Sequence, residues 1–257
     1  MKKIFLLCVV LVNVGISEVR KENFKTGELR WETNYENGIR EGISKTYLQN
    51  GNVVGENNFK NGVLEGISKH FYQTGELNSE TNYKNGKKEG ITKVYYTNGK
   101  LREEINYKND VKEGISKKYD KAGRIEWEKN YKNDKQNGIT KRYYQTGNVF
   151  MENNFVDGIE EGISKQYYET GQLKSEKNYK NLKQDGTSKH YYMTGELRWE
   201  YTFKNGVIDI SEEYYKTGKI KQTFIFKNGK IFDGYIYDIK GKKTKMTNDY
   251  FRKMRLM

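Results

Sequence analysis

The sequence predicts an all-β fold, an elongated single-sheet solenoid of about nine consecutive β-hairpins with a period of 24 residues. Three observations predict it. Gly27, Gly51, Gly75, Gly99, Gly123, Gly147, Gly171 and Gly195 fall at intervals of 24, and Gly218 and Gly241 follow at 23. The segments between turn signals run only about eight to ten residues and are rich in aromatic and β-branched types, which favours strands over helices. Asn37-Gly38, Asn61-Gly62 and Asn85-Gly86 separate such segments, and Asn-Gly is the dipeptide that accepts the positive φ of a tight hairpin turn.

The chain opens differently. Met1-Lys2-Lys3 precedes an apolar run from Ile4 to Val14, and Gly15-Ile16-Ser17 places small residues where a leader peptidase cuts. This predicts a signal peptide over residues 1–17, against an uncleaved anchor or a hydrophobic first strand. Cys8 follows Leu7 and lies too close to Lys3 to be a lipidation site. Removal of the leader would leave no cysteine, which excludes disulfides and thiol chemistry.

Within each unit of the array, residues 18–241, the first strand opens on an aliphatic position (Leu29, Leu77, Leu101) and closes on an aromatic one (Tyr35, Tyr83, Tyr107). Six residues separate them, so they share a face. The second strand carries Ile43, Ile67 or Ile91, with Tyr47, Phe71 or Tyr95 four residues on. Pairing Tyr35 with Ile43 and Trp31 with Tyr47 gathers these on one face. A slip of one residue would instead set Glu32 across from Lys45 and lay Tyr35 over Gly42. Burial of apolar area favours the first.

A second aromatic column, Tyr72, Tyr96, Tyr144, Tyr168, Tyr192 and Tyr215, follows the first directly and faces the polar side. Packing on glycines or lysine stems is one reading and a binding surface the other. Beyond Ile208-Asp209-Ile210 the period loosens, and residues 242–257 form a basic tail or cap. Strand spacing projects a sheet on the order of 90 Å long.

Mean hydropathy of −1.02 and a net charge of +13 would suit a disordered chain, but 14% aromatics at fixed positions imply order around a thin core. Lys and Glu are interspersed, the pattern of a solvated face. His70 and His190 lie five periods apart, roughly 48 Å by strand spacing, and cannot meet. The glutamate column that includes Glu32, Glu80 and Glu128 offers identical carboxylates, whereas acid–base catalysis needs two distinct environments. A ladder with Lys45, Lys69 and Lys93 is the expected role. With no phosphate loop, nucleophile elbow or ligand cluster, no enzyme, cofactor or metal is expected.

Residues 83–101, Tyr-Lys-Asn-Gly-Lys-Lys-Glu-Gly-Ile-Thr-Lys-Val-Tyr-Tyr-Thr-Asn-Gly-Lys-Leu, resemble the bacterial variant of the MORN repeat, and the resemblance covers residues 22–241. It implies a sheet of successive hairpins. It also resembles YwqK-type antitoxins, which implies a protein that neutralises a toxin. The leader places the protein in the periplasm, at the cell surface or outside the cell. The expectation is an exported protein–protein interaction scaffold of antitoxin or immunity type. The alternative is a basic tether for anionic lipid or cell-envelope polymer. Nucleic acid ranks last, because export would separate the two.

Overall fold

A computed structural model describes residues 15–247 and 250–251. The part of the expected signal peptide before Gly15 and most of the tail beyond Thr247 lie outside that range. Internal contacts divide the chain into two compact units, one ending at Gly99 and one beginning at Lys100. In both, strands follow one another as antiparallel hairpins of an open sheet, with a repeat near 24 residues. The described residues hold 26 strands.

The strand count exceeds the roughly twenty that the hairpin arithmetic gives. In six repeats the returning strand is split, as in Val63–Leu64 followed by Gly66–Phe71. The break falls at the Glu-Gly pair, or at its equivalents Asn137-Gly138 and Asp185-Gly186. Gly66 has φ 79°, and the Glu65 amide bonds back to the Asn58 carbonyl at 2.9 Å, so the chain steps out of the ladder and returns.

Asn-Gly forms the predicted turns. Asn37 and Gly38 both hold positive φ, 50° and 77°. Asn109-Asp110, Asn133-Asp134 and Asn181-Leu182 adopt the same conformation without glycine, with Leu182 at φ 63°.

The register is the one-residue slip, not the pairing that apolar burial favours. Glu32 pairs with Lys45, Thr33 with Ser44 and Trp31 with Thr46. The register then shifts, so Tyr35 meets Arg40, and Gly42 pairs with Phe59 of the following strand. The apolar residues consequently split between the faces. Ile43, Ile67, Ile91, Ile115, Ile139 and Ile163, expected in an apolar ladder, are 49–57% exposed.

Buried positions belong instead to short polar side chains: Thr33, Ser68, Thr81 and Thr92 in the first unit, Ser116, Thr140, Ser164 and Ser188 in the second. An open sheet has no second layer to cover an isoleucine. A serine or threonine is short enough for its longer neighbours to close over it. Among the described residues the buried hydrophobic side chains are Phe224 and Met246, near the end of the second unit. There Lys243–Lys245 adds a strand to Tyr235–Tyr237, and the Met246 amide bonds the Gly234 carbonyl at 2.9 Å.

Candidate binding face

Residues directly paired across an antiparallel sheet project to the same side, and their sequence neighbours to the other. The hairpin pairing therefore sorts each repeat into two kinds of ladder.

One ladder is monotonous. Lysine alternates with glutamate through Lys45–Glu56 and Lys69–Glu80 at 3.3 and 3.6 Å in the first unit. Lys117–Glu128, Lys141–Glu152 and Lys165–Glu176 continue it at 3.1, 3.3 and 3.6 Å in the second. The expected charge ladder is present. Most of these glutamates also accept a tyrosine hydroxyl, as in Tyr47 to Glu32 at 2.6 Å, Tyr143 to Glu128 at 2.8 Å and Tyr167 to Glu152 at 2.9 Å, the exception being Glu56, whose repeat carries Phe71 in place of the tyrosine. Burial and the adjacent carboxylate push the Tyr47, Tyr119 and Tyr167 phenols up to about 12. The hydroxyl bond, with Lys21 and Lys45 nearby, holds Glu32 below the usual carboxylate range despite some burial.

The six candidate tyrosines are half-buried. Tyr72 donates its hydroxyl to the Tyr95 carbonyl at 2.6 Å in the first unit. In the second, Tyr144, Tyr168, Tyr192 and Tyr215 donate to the carbonyls of Tyr167, Tyr191, Tyr214 and Tyr237, at 2.8 to 3.3 Å. Tyr96 also has an interaction partner. Each bond joins a repeat to the next, so the hydroxyls are committed to the fold. The rings stay accessible to cations: Lys174 stands 5.8 Å from the Tyr168 centroid and Arg198 5.4 Å from that of Tyr192.

The opposite ladder is varied. In the second unit Lys118 pairs with Trp127, and Arg142, Met151, Gln166, Ser175, His190, Trp199 and Glu213 follow in order. In the first unit the same positions read Trp31, Thr46, Gly55, His70, Ser79 and Val94. Each repeat differs from the one before it, although tryptophan recurs at 31, 127 and 199, serine at 79 and 175 and histidine at 70 and 190. His70 is exposed as expected, but His190 is half-buried, its ring 5.5 Å from that of Tyr201. Burial, and then Lys177, Lys174 and Arg198, lower its pKa.

A cleft of about 570 Å³ opens over part of this ladder in the second unit, lined by Lys118, Arg124, Trp127, Lys129, Arg142, Tyr144 and Phe150 among others. Tyr144 and Phe150 meet edge to face at 5.1 Å. The Lys129 ammonium stands 4.8 Å from the Trp127 centroid. Both carboxylates of the cleft are already paired, Asp120 with Arg124 at 2.7 Å and Glu126 with Lys118 at 2.9 Å. Among the described residues, neither Lys129 nor the exposed Arg142 has a carboxylate partner.

Of the predicted site residues, only Tyr144 lines this cleft. Trp127, Lys129 and Arg142 were missed because their columns change from one repeat to the next, and a search for columns that recur in every repeat passes over them. The signal was present as that variation. No helix among the described residues is long and apolar enough to cross a membrane, and no group of described His, Cys, Asp or Glu residues has the arrangement of a metal site.

Comparison with known proteins places these observations in a family. No curated protein matched the chain significantly. The MORN repeat variant family matches residues 40–61, 64–85, 88–109, 136–157, 160–181 and 210–228, together just over half of the chain. MORN repeats are generally found in repeat proteins that bind proteins or membranes. With six matched repeats and hairpins of the same period, the chain belongs to the MORN repeat variant family.

Proposed function

We propose that this chain is a non-catalytic interaction scaffold that binds a protein through the varied ladder. The carrying observation is the division of labour between the ladders. The Glu/Lys ladder repeats itself with almost no change and makes the inter-repeat ion pairs. The ladder through Trp127 and Arg142 differs at nearly every step. Stacked repeats need a constant surface to stack, and a ladder released from that duty is free to fit something else. Its tryptophans and arginine are the residue types that dominate protein interfaces.

The test is affinity capture from the envelope fraction with the intact chain, Trp127→Ala and Ile139→Ser. The reading expects one stoichiometric protein, lost with Trp127→Ala and kept with Ile139→Ser, whose site is on the other face. Recovery of no protein, or equal recovery by all three, would overturn it. We further propose export through residues 1–17, which fractionation tests: residence in the cytoplasm with Met1 retained would refute it. The narrower reading, an antitoxin or immunity protein, predicts that this protein relieves the toxicity of a toxin encoded beside it. A second reading rests on the net charge of +13. A tether for anionic lipid or envelope polymer would bind with an affinity that falls steeply with salt.

A further inference from the structure

We infer that the cleft around Trp127 is the seat for an acidic protein segment. The inference rests on the scaffold reading and names the chemistry of what that scaffold holds. Three observations carry it.

The first is charge. The two acids of the cleft are neutralised within it, which leaves Lys129 and Arg142 as its unpaired charges, both positive. A ligand that completes the cleft supplies carboxylates, and the Arg142 guanidinium presents a fork that a carboxylate fills with two hydrogen bonds.

The second is the apolar part. One carboxylate-bearing residue beside an apolar one suits a site in which Arg142 stands next to Trp127 and Met151 in the ladder. The Lys129 ammonium already covers the Trp127 ring, and the Phe150 ring is set against Tyr144. A sugar ring that needed an open aromatic face would find these two engaged. The recess also suits an inserted side chain better than a flat bilayer surface.

The third is the sequence of the repeats. Lys118, Trp127 and Lys129 all fall between the matched segments 88–109 and 136–157, in a repeat that departs from the family pattern. Tryptophan recurs at the Trp127 position in Trp31 and Trp199, but there it pairs with Thr46 and Glu213, and the two preceding repeats carry Ser79 with Val94 and Glu103 with Lys118; only in this repeat does tryptophan pair with an arginine. The cleft is therefore a local specialisation and not a product of the repeat.

The experiment uses the full chain and fluorescein-labelled ten-residue peptides, one alternating Glu and Leu, one alternating Lys and Leu. Binding is read by anisotropy, beside a sulfated oligosaccharide and vesicles containing phosphatidylglycerol as competitors. The expected result is binding of the acidic peptide that Arg142→Glu and Lys129→Glu each weaken at least about tenfold. The Arg142→Glu/Lys129→Glu double variant should instead gain affinity for the basic peptide, an outcome that misfolding cannot produce. Unchanged melting curves identify folded variants. The inference is overturned if no acidic peptide binds, if charge reversal leaves binding intact, or if the oligosaccharide or vesicles compete it away at lower concentration. A partner lost with Trp127→Ala but retained by both charge reversals would sink this inference and leave the scaffold reading standing.

Discussion

Leu182 occupies a position that glycine fills in most repeats, with φ at 63° and its side chain 67% exposed. An L-residue in this region costs about 1 kcal/mol. Leu182→Gly is expected to raise stability by somewhat less, because glycine also loosens the unfolded chain; an unchanged or lower urea midpoint would contradict this. The buried serines make a second residue-scale case. Ser68, Ser116 and Ser188 hold hydroxyls that no protein group bonds. Ser116→Ala should therefore be neutral or stabilising by up to about 1 kcal/mol, whereas a paired buried hydroxyl would lose stability. Titration gives a third. The Tyr47, Tyr119 and Tyr167 phenols are raised from 10 to about 12, so between those values the folded chain holds protons that the unfolded chain has released. Their contribution is complete below pH 10 and lost as pH rises towards 12. Urea midpoints measured across that window should fall, and fall less in Tyr167→Phe. At this scale the Glu/Lys pairing was legible, since both columns recur every period and their charges are opposite. The burial of Ser and Thr was not. Hydropathy ranks isoleucine above serine, and that ranking fails where side-chain length decides what neighbours can cover.

Most hairpins are tied to the next by the acid before the bulge glycine, a position that Asn137 fills in one repeat. In the first unit the Glu65 carboxylate accepts the Asn85 amide at 2.7 Å; in the second, Glu161 accepts the Asn181 amide at 3.0 Å. The acid of one repeat thus caps the turn of its successor. Glu161→Ala should cost about 1 kcal/mol. Because the Asn181-Leu182 turn is also strained, its effect should not add simply to that of Leu182→Gly; a double-mutant cycle reads the coupling. The hairpins and their period were visible in the Asn-Gly and Gly spacings. The Glu-Gly bulge was not, although its column was, because a glycine inside a strand does not reveal which way the ladder will shift. That shift decided the register. The terminal element differs in kind: Met246 is 5% exposed, and a Cβ placed on Gly234 would meet its sulfur at 2.8 Å. Met246→Ala should destabilise the second unit by about 2 kcal/mol or more, seen as a lowered melting transition.

At the scale of the chain, stability is distributed and specificity is local. Most repeats touch their neighbours through ion pairs, a tyrosine–carbonyl bond and a turn cap, and these joints recur, with Leu48 and Asp120 in place of the tyrosine and Asn137 in place of the capping acid as exceptions. Family membership and architecture could be read from such recurrence. The cleft could not, because its combination of Trp127, Lys129 and Arg142 occurs in one repeat only: the tryptophan column recurs at Trp31 and Trp199 and the lysine at Lys177, but never together with an arginine at the Arg142 position. The turn caps have one more consequence. A joint that always spans the same interval makes the repeat an interchangeable part, and the length of the array becomes adjustable by duplication or loss without redesign. Excising residues 52–75 in frame should yield a shorter protein that still folds, with the Trp127 cleft and its ligand affinity intact. Circular dichroism and the peptide titration would read both. Lineages carrying this chain could then vary its reach independently of what it recognises.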